Sequence, residues 1–209
     1  MRILIITGFI LLYTNMIYSQ INAVTETGDQ VILYQDHTWK YVNDSIKQNT
    51  EININDKEFI KDKQLSFLVK SNKINIGIWI NPKEWSFSKG ENDDAAEFKF
   101  QKKGGDLYAM LISEKIQIPI ETLKGIAYEN AKNAAPDIKI IKEEYRTVNS
   151  IKVLMMQMSG TIQGIKFIYF GYYYSNTNGT IQFITYTSEN LFKTYFDDIE
   201  LFLNGLVEI

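Results

Sequence analysis

The residue best suited to acid–base chemistry is His37, the single histidine of the chain. A catalytic histidine needs a nucleophile and an orienting group close by, and its neighbours Asp36 and Thr38 are of suitable types. A histidine in a turn is also an ordinary solvated residue, so catalysis and a plain surface turn remain alternatives. One histidine excludes a metal site with several histidine ligands within one chain.

Neighbouring carboxylates are the second group that could do chemistry. They occur as three adjacent pairs, Asp93-Asp94, Glu143-Glu144 and Asp197-Asp198. Adjacent residues in a strand point to opposite faces, so Glu143 and Glu144 are not expected to act together. A hydrolase built from carboxylates far apart in sequence stays open as the alternative function.

A loop near residue 93 could hold calcium through Glu91, Asp93 and Glu97. The Asp-x-Asp-x-Asp-Gly spacing of a dedicated calcium loop is absent, so a solvated loop is the competing interpretation. Thioethers can hold Cu(I), and three methionines lie in one predicted strand, Met155, Met156 and Met158. Methionine used as adaptable core filler explains that strand equally well.

The least ordinary feature is an aromatic run from Phe167 to Tyr174. Both faces of this predicted strand are apolar or aromatic, so both are covered if the strand is central. If one face is open, its tyrosines could stack on sugars or contact a protein partner. The candidate binding surface is formed by four tyrosines, Tyr169, Tyr172, Tyr173 and Tyr174.

Composition narrows the function classes. Hydrophobic residues make up 45% of the 209 residues, which indicates a globular chain with a proper core. With no cysteine there are no disulfides, thiolate nucleophiles or cysteine-bound zinc. The net charge of −3 argues against nucleic-acid binding. No cofactor, metal or catalytic signature is present, and the expected partner is an unknown protein or small ligand.

The first 19 residues predict a cleaved signal peptide. Arg2 precedes an apolar run over 3–13, and Ser19 offers a small residue at the cleavage point. An uncleaved anchor and a buried N-terminal strand are the alternatives, but Thr14 and Asn15 interrupt the run that a membrane span needs. We therefore expect an exported protein, periplasmic or secreted, with no integral membrane segment after cleavage.

The rest of the chain reads as two parts. Residues 20–55 predict a β-hairpin, with strands on either side of residues 35–37, followed by a polar linker. Residues 56–209 predict an α+β domain, a mainly antiparallel sheet flanked by helices. A hairpin that docks on a larger complex is a further possible role for the first part.

Within the larger part, local signals place the main elements. A helix is expected from Ile120 to Ala134, after Pro119. Four strand-like segments follow it, and Asn178-Gly179 predicts a tight hairpin turn between the last two. Ser188 can cap a closing helix that Gly205 ends, with inward-facing residues Leu191, Tyr195, Ile199, Phe202 and Leu206.

The domain from about Leu65 to Val207 resembles the PsbP-like family, which includes bacterial DcrB-type envelope proteins and the extrinsic P subunit of photosystem II. The likeness rests on three segments, Ile78 to Trp85, Ile120 to Lys124, and the turn Val148 to Lys152. Ser150 departs from the family, which usually has glycine there. The resemblance implies an α/β/α sandwich and a binding or assembly role in the cell envelope, and it brings no catalytic residues.

Overall fold

The computed structural model describes residues 21–25, 30–34, 39–42, 52–91 and 95–209. The predicted signal peptide, His37 and Asp93 lie outside these residues. The chain divides into two compact units, residues 1–48 and 49–209. Neither helix in the described part of the chain is long and apolar enough to cross a membrane.

The first unit contains a small antiparallel sheet. Its strands are β1 (Ile21–Val24), β2 (Gln30–Leu33) and β3 (Trp39–Tyr41), in the order β1-β2-β3. The pair β2–β3 falls in the two segments predicted to be strands, with Leu33 opposite Trp39. The turn that would join them lies outside the described residues, and the role of this unit as an appendage stays a prediction.

The second unit contains the large sheet, a small sheet and two helices. Its elements in chain order are β4 (Ile54–Phe59), β5 (Phe67–Lys70), β6 (Ile76–Ile80), β7 (Trp85–Lys89), β8 (Phe98–Lys102), β9 (Tyr108–Glu114), α1 (Ile120–Ala134), β10 (Lys139–Val148), β11 (Ile151–Ile162), β12 (Ile165–Asn176), β13 (Gly179–Ser188), α2 (Glu189–Leu203) and β14 (Leu206–Glu208). This arrangement is α+β, as the sequence predicts.

The large sheet has eight strands in the order β4-β10-β11-β12-β13-β9-β8-β7. Its pairs are antiparallel except for β4 with β10, which are parallel. The predicted run of four antiparallel strands is confirmed as β10 to β13. The predicted hairpin between the last two is confirmed as well, but its two-residue loop is Thr177-Asn178, one residue earlier than expected, because Asn176 pairs with Gly179 at the start of β13.

Each helix covers one face of the large sheet. Helix α2 closes the larger core, where the rings of Trp85 and Phe202 stack with centroids 3.8 Å apart. Helix α1 packs on the opposite face through Leu123 and Ala127, against Leu154, Met156 and Tyr173. The bounds of α1 coincide with the prediction, because Pro119 and Pro136 flank an apolar stripe that marks both ends.

Three details differ from the sequence expectations. Leu206 is not part of the closing helix but begins β14, which pairs with β6 opposite Ile78. Gly205 permits that reversal, because a side chain there would collide with the Trp79 carbonyl. Ser188 occupies the N-cap position of α2 but makes no side-chain capping hydrogen bond. Strand β4 begins at Ile54, inside the segment expected to be a linker.

Candidate binding surface

The four tyrosines of the aromatic run do not share one surface. Strand β12 lies between β11 and β13, and the helix α2 covers one of its faces and α1 the other over much of its length. Tyr172 and Tyr173 are fully buried, on opposite faces, as the packed-sheet alternative requires. Tyr169 and Tyr174 are half-buried, again on opposite faces. Of the four candidates, Tyr169 lies at the border of the face that α1 covers, where it packs against Ala135 and Met158.

Tyr172 is held by a buried arginine. Arg146, the one arginine beyond Arg2, is only 4% exposed and donates to the Tyr172 hydroxyl at 3.2 Å. That hydroxyl donates to the Asn204 side-chain oxygen at 2.9 Å, at the end of α2. Burial raises the pKa of Tyr172 to about 12, although Arg146 acts in the opposite direction. This side chain therefore fixes the position of α2 and is not available to a ligand.

Two carboxylates balance the charge of Arg146. Its Nε donates to Glu144 at 2.6 Å and its Nη1 to Glu200 at 2.9 Å. Burial by itself raises the pKa of Glu144, but the hydrogen bonds it accepts outweigh this, so the pKa is lowered. A glycosidase acid needs a raised pKa instead. The cluster is therefore a structural ion network, without the electrostatics of a general acid.

The other described residues that were candidates for chemistry are also engaged in structural contacts. Glu143 faces α1 and pairs with Lys124 at 2.6 Å, whereas Glu144 faces α2, so the two do not act together. Glu97 accepts hydrogen bonds from Ser71 and Ser113. No group of three metal-ligating residues, counting histidines and carboxylates, occurs in the described ranges.

The three methionines are core residues, with Met155 on the α2 side and Met156 and Met158 on the α1 side.

Tyr174 is hydrogen-bonded to β14 of the small sheet. Its hydroxyl donates to the Glu208 carboxylate in β14 and accepts from the Asn176 amide at 3.0 Å. Burial, together with this carboxylate, raises its pKa to about 12. Because its hydroxyl is committed to these two partners, Tyr174 is a poor candidate for ligand contact.

A broad open area forms the part of the α1-side face that lies beyond the helix. Three tyrosines run side by side from the end of α1 into this area on neighbouring strands, because Tyr169 lies opposite Tyr186 and Tyr186 lies opposite Tyr108. We call these three residues the tyrosine row. Centroids are 6.0 Å apart between the first two rings and 5.6 Å between the last two.

Exposure distinguishes the two faces of the sheet at this point. All three row members are half-buried, as are Met110 and Ile184 beside them. The intervening residues on the α2 side, including Ala109 and Phe183, are 1% exposed or less. The face is thus an aromatic and apolar strip with no described helix over Tyr108 or Tyr186.

The rings of the row face one another instead of the solvent. The planes of Tyr108 and Tyr186 are only 20° apart, so the row presents ring edges and hydroxyl groups. Burial and the neighbouring Tyr186 raise the pKa of Tyr169. None of the three hydroxyls bonds to a described residue, so each remains able to donate and accept.

Sequence reasoning found Tyr169 but missed the other two members. Tyr108 and Tyr186 alternate with buried residues along β9 and β13, which is the period-two pattern of a half-buried strand. That pattern could have identified them as outward-facing. It could not have shown that strands so far apart in sequence bring these rings together.

Comparisons with known proteins support the fold. A scan against protein-family models finds no match, and neither does a search of curated proteins. The solution structure of cyanobacterial PsbP (CyanoP) from Synechocystis sp. PCC 6803 is similar, with a TM-score of 0.52 and 11% identity. It covers 68% of this chain and 92% of that one.

Two other solved structures match more loosely. LpqN, involved in cell envelope biogenesis of Mycobacterium tuberculosis, has a TM-score of 0.46 and 12% identity, over 68% of this chain and 88% of that one. A protein of unknown function from Pseudomonas aeruginosa has a TM-score of 0.44 and 10% identity, over 68% and 96%. The chain therefore has a PsbP-like fold over about 68% of its length, and identities this low support the fold alone.

Proposed function

We propose that this chain is an exported, non-catalytic domain that binds a protein partner through the tyrosine row, in an assembly role at the cell envelope. The observation that carries the proposal is the alignment of Tyr169, Tyr186 and Tyr108 on three neighbouring strands, which runs from the end of α1 to a part of the sheet that the α1-side clusters do not include. Tyrosine is enriched at the energetic centres of protein interfaces, because it combines a large apolar ring with a polar tip.

The geometry favours a protein over a sugar as the occupant. Sugar stacking needs open ring faces, whereas the faces of Tyr108 and Tyr186 are turned towards each other. The ring edges and the hydroxyls, which bond to no described residue, suit the mixed polar and apolar surface of a protein, with Met110 and Ile184 beside them.

Site-specific photocrosslinking tests the surface. A photoreactive phenylalanine analogue is placed at Tyr108 or at Tyr186, and the full chain is expressed in its native cells. We expect both positions to crosslink the same partner. The matched control is Phe87, an aromatic residue that is 42% exposed on β7 and faces the other side of the sheet.

Affinity for the purified partner completes the test. Tyr108→Ala and Tyr186→Ala should each weaken binding by tenfold or more, as expected for interface tyrosines. Phe87→Ala should leave the affinity unchanged. Equal crosslinking from residue 87, or full affinity in both tyrosine variants, would contradict the proposal.

Export is tested separately by N-terminal sequencing of the protein recovered outside the cytoplasm. We expect the mature chain to begin near Gln20, after removal of the predicted signal peptide. An intact Met1 in the periplasmic or secreted fraction would show that the leader is retained.

A further inference from the structure

The sheet face that carries the tyrosine row also contains a cavity of about 210 Å³, between α1 and the far ends of β9 and β13. Its floor includes Leu123 and Gln182, which are 1% and 9% exposed. Its rim includes Glu114 and Asn130, which are exposed. The cavity is therefore open to solvent and reaches into the core.

Of the two buried polar residues that line this cavity, Thr180 and Gln182, it is Gln182 that has no side-chain partner among the described residues. Its side-chain amide makes no hydrogen bond with any residue that the structure describes. Thr180, its neighbour on the same strand face, is fully used: it donates to the Ile116 carbonyl at 2.6 Å and accepts from the Ile118 N–H at 3.1 Å. Neither polar atom of this amide is sealed from solvent, so water satisfies it when no ligand is bound, and a ligand can take over the same hydrogen bonds.

The cavity chemistry defines what can serve it. The amide offers one acceptor and two donors, so its best match is another amide with an adjacent donor and acceptor. The apolar part of the lining is branched and consists of Ile112, Ile118, Leu123 and Ile126. The Glu114 carboxylate on the rim is in no ion pair with a described residue, and it disfavours an anionic ligand.

The volume of the cavity limits the size of the ligand. An engineered apolar cavity of about 150 Å³ in another protein holds benzene. The present volume of about 210 Å³ therefore has room for a ring or branched chain plus one small polar group. We propose that this cavity binds a small neutral molecule that joins an amide group to a compact apolar body, with its amide paired to Gln182.

Three probes of one shape test the ligand chemistry on the wild-type protein: benzamide, benzoate and toluene. Each is titrated into isotope-labelled protein and followed by NMR. Benzamide should saturate at millimolar concentration and shift the Gln182 side-chain N–H signals together with the methyl signals of Ile112 and Ile118. Benzoate should bind at least about tenfold more weakly. No saturable benzamide binding, or equal binding of benzoate, would overturn the proposal.

A near-isosteric variant tests the assigned contact. Gln182→Met should weaken benzamide binding by about tenfold or more while toluene binding is kept, and the control Gln157→Met should change neither. Unchanged benzamide binding in Gln182→Met would show that the assigned pairing is wrong, and if the variant does not fold, the wild-type probe series decides. Tyr108→Ala should retain benzamide binding, so this site and the partner surface can fail independently.

Discussion

The Arg146 guanidinium donates a hydrogen bond to the Tyr172 hydroxyl across 3.2 Å, linking β10 to β12 under helix α2. The same guanidinium lies 4.4 Å from the ring centre of Phe59 on β4. It also pairs with Glu200 of α2. One buried cation therefore connects an edge strand, two inner strands and a helix.

Removal of this cation should be among the most destabilising single changes in the domain. Arg146→Ala leaves Glu200 without this cation and Glu144 with only the exposed Lys142 as its counter-charge, and breaking a buried pair in this way costs about 3–5 kcal/mol. Urea unfolding at pH 7 measures the loss. Lys152→Ala is the matched control, because Lys152 is exposed over the Tyr145 ring and should cost under about 1 kcal/mol. Similar losses in the two variants would contradict a special role for Arg146.

Tyr172 predicts an alkaline dependence of stability. The folded state holds its phenolic proton up to a pKa of about 12, above the ordinary value of 10.0. Its contribution is therefore complete below pH 10 and is lost as the pH rises towards 12, with a slope of up to about 1.4 kcal/mol per pH unit. Tyr172→Phe should be less stable than wild type at pH 8, by about 1–2 kcal/mol.

The readout for Tyr172 is the difference in unfolding free energy between the two proteins at pH 8, 10 and 11. We expect this difference to shrink as the pH rises, because the variant has no proton to lose at this position. A difference that stays constant across the series would show that Tyr172 does not titrate late.

Glu97 predicts the opposite behaviour at acid pH. Burial alone raises its pKa, but hydrogen bonds led by the one from Ser113 lower it below 4.5. Its contribution is present above pH 4.5 and is lost as the pH falls through the lower folded-state value. Glu97→Gln should cost about 1 kcal/mol at pH 7 and less at pH 3, measured by urea unfolding. An equal cost at both values would refute the linkage.

The turn at Ser150 predicts a gain in stability. Asn149 and Ser150 have φ values of 45° and 70°, and a serine in the left-handed region is strained. Ser150→Gly should therefore raise the free energy of unfolding by about 0.5–1 kcal/mol. In the turn Gln163-Gly164 both φ angles are also positive, 49° and 82°, so Gly164→Ser is the matched change in reverse and should cost a similar amount. The urea midpoints of both variants provide the measurement.

Local signals account for what the sequence predicts well. The prolines on either side of α1 and the Asn178-Gly179 pair determine the structure of the few residues next to them in the sequence. The burial of Met156 and Met158 on the same face of the sheet also follows from strand alternation together with their apolar character. These elements could be placed without knowledge of the rest of the fold.

Contacts between distant segments explain what the sequence could not show. The tyrosine row needs the register of β12, β13 and β9, and a shift of one residue in any pairing would turn a ring into the core. The burial of Arg146 depends on partners as distant as Glu200. Likewise, nothing near Gln182 in sequence indicates that α1 stops short of filling the space beside it.

The pairing of β14 with β6 places Leu206 opposite Ile78, although the two residues are far apart in the sequence of the second unit. Strand β14 has only three residues and is far from β6 in the sequence, so local interactions stabilise it little. It can pair with β6 only after α2 has docked. It should therefore form late in folding and open early. In a hydrogen-exchange experiment, the amides of β14 should lose protection before those of the central strands β11 to β13, so the last segment to arrive is also the first to detach.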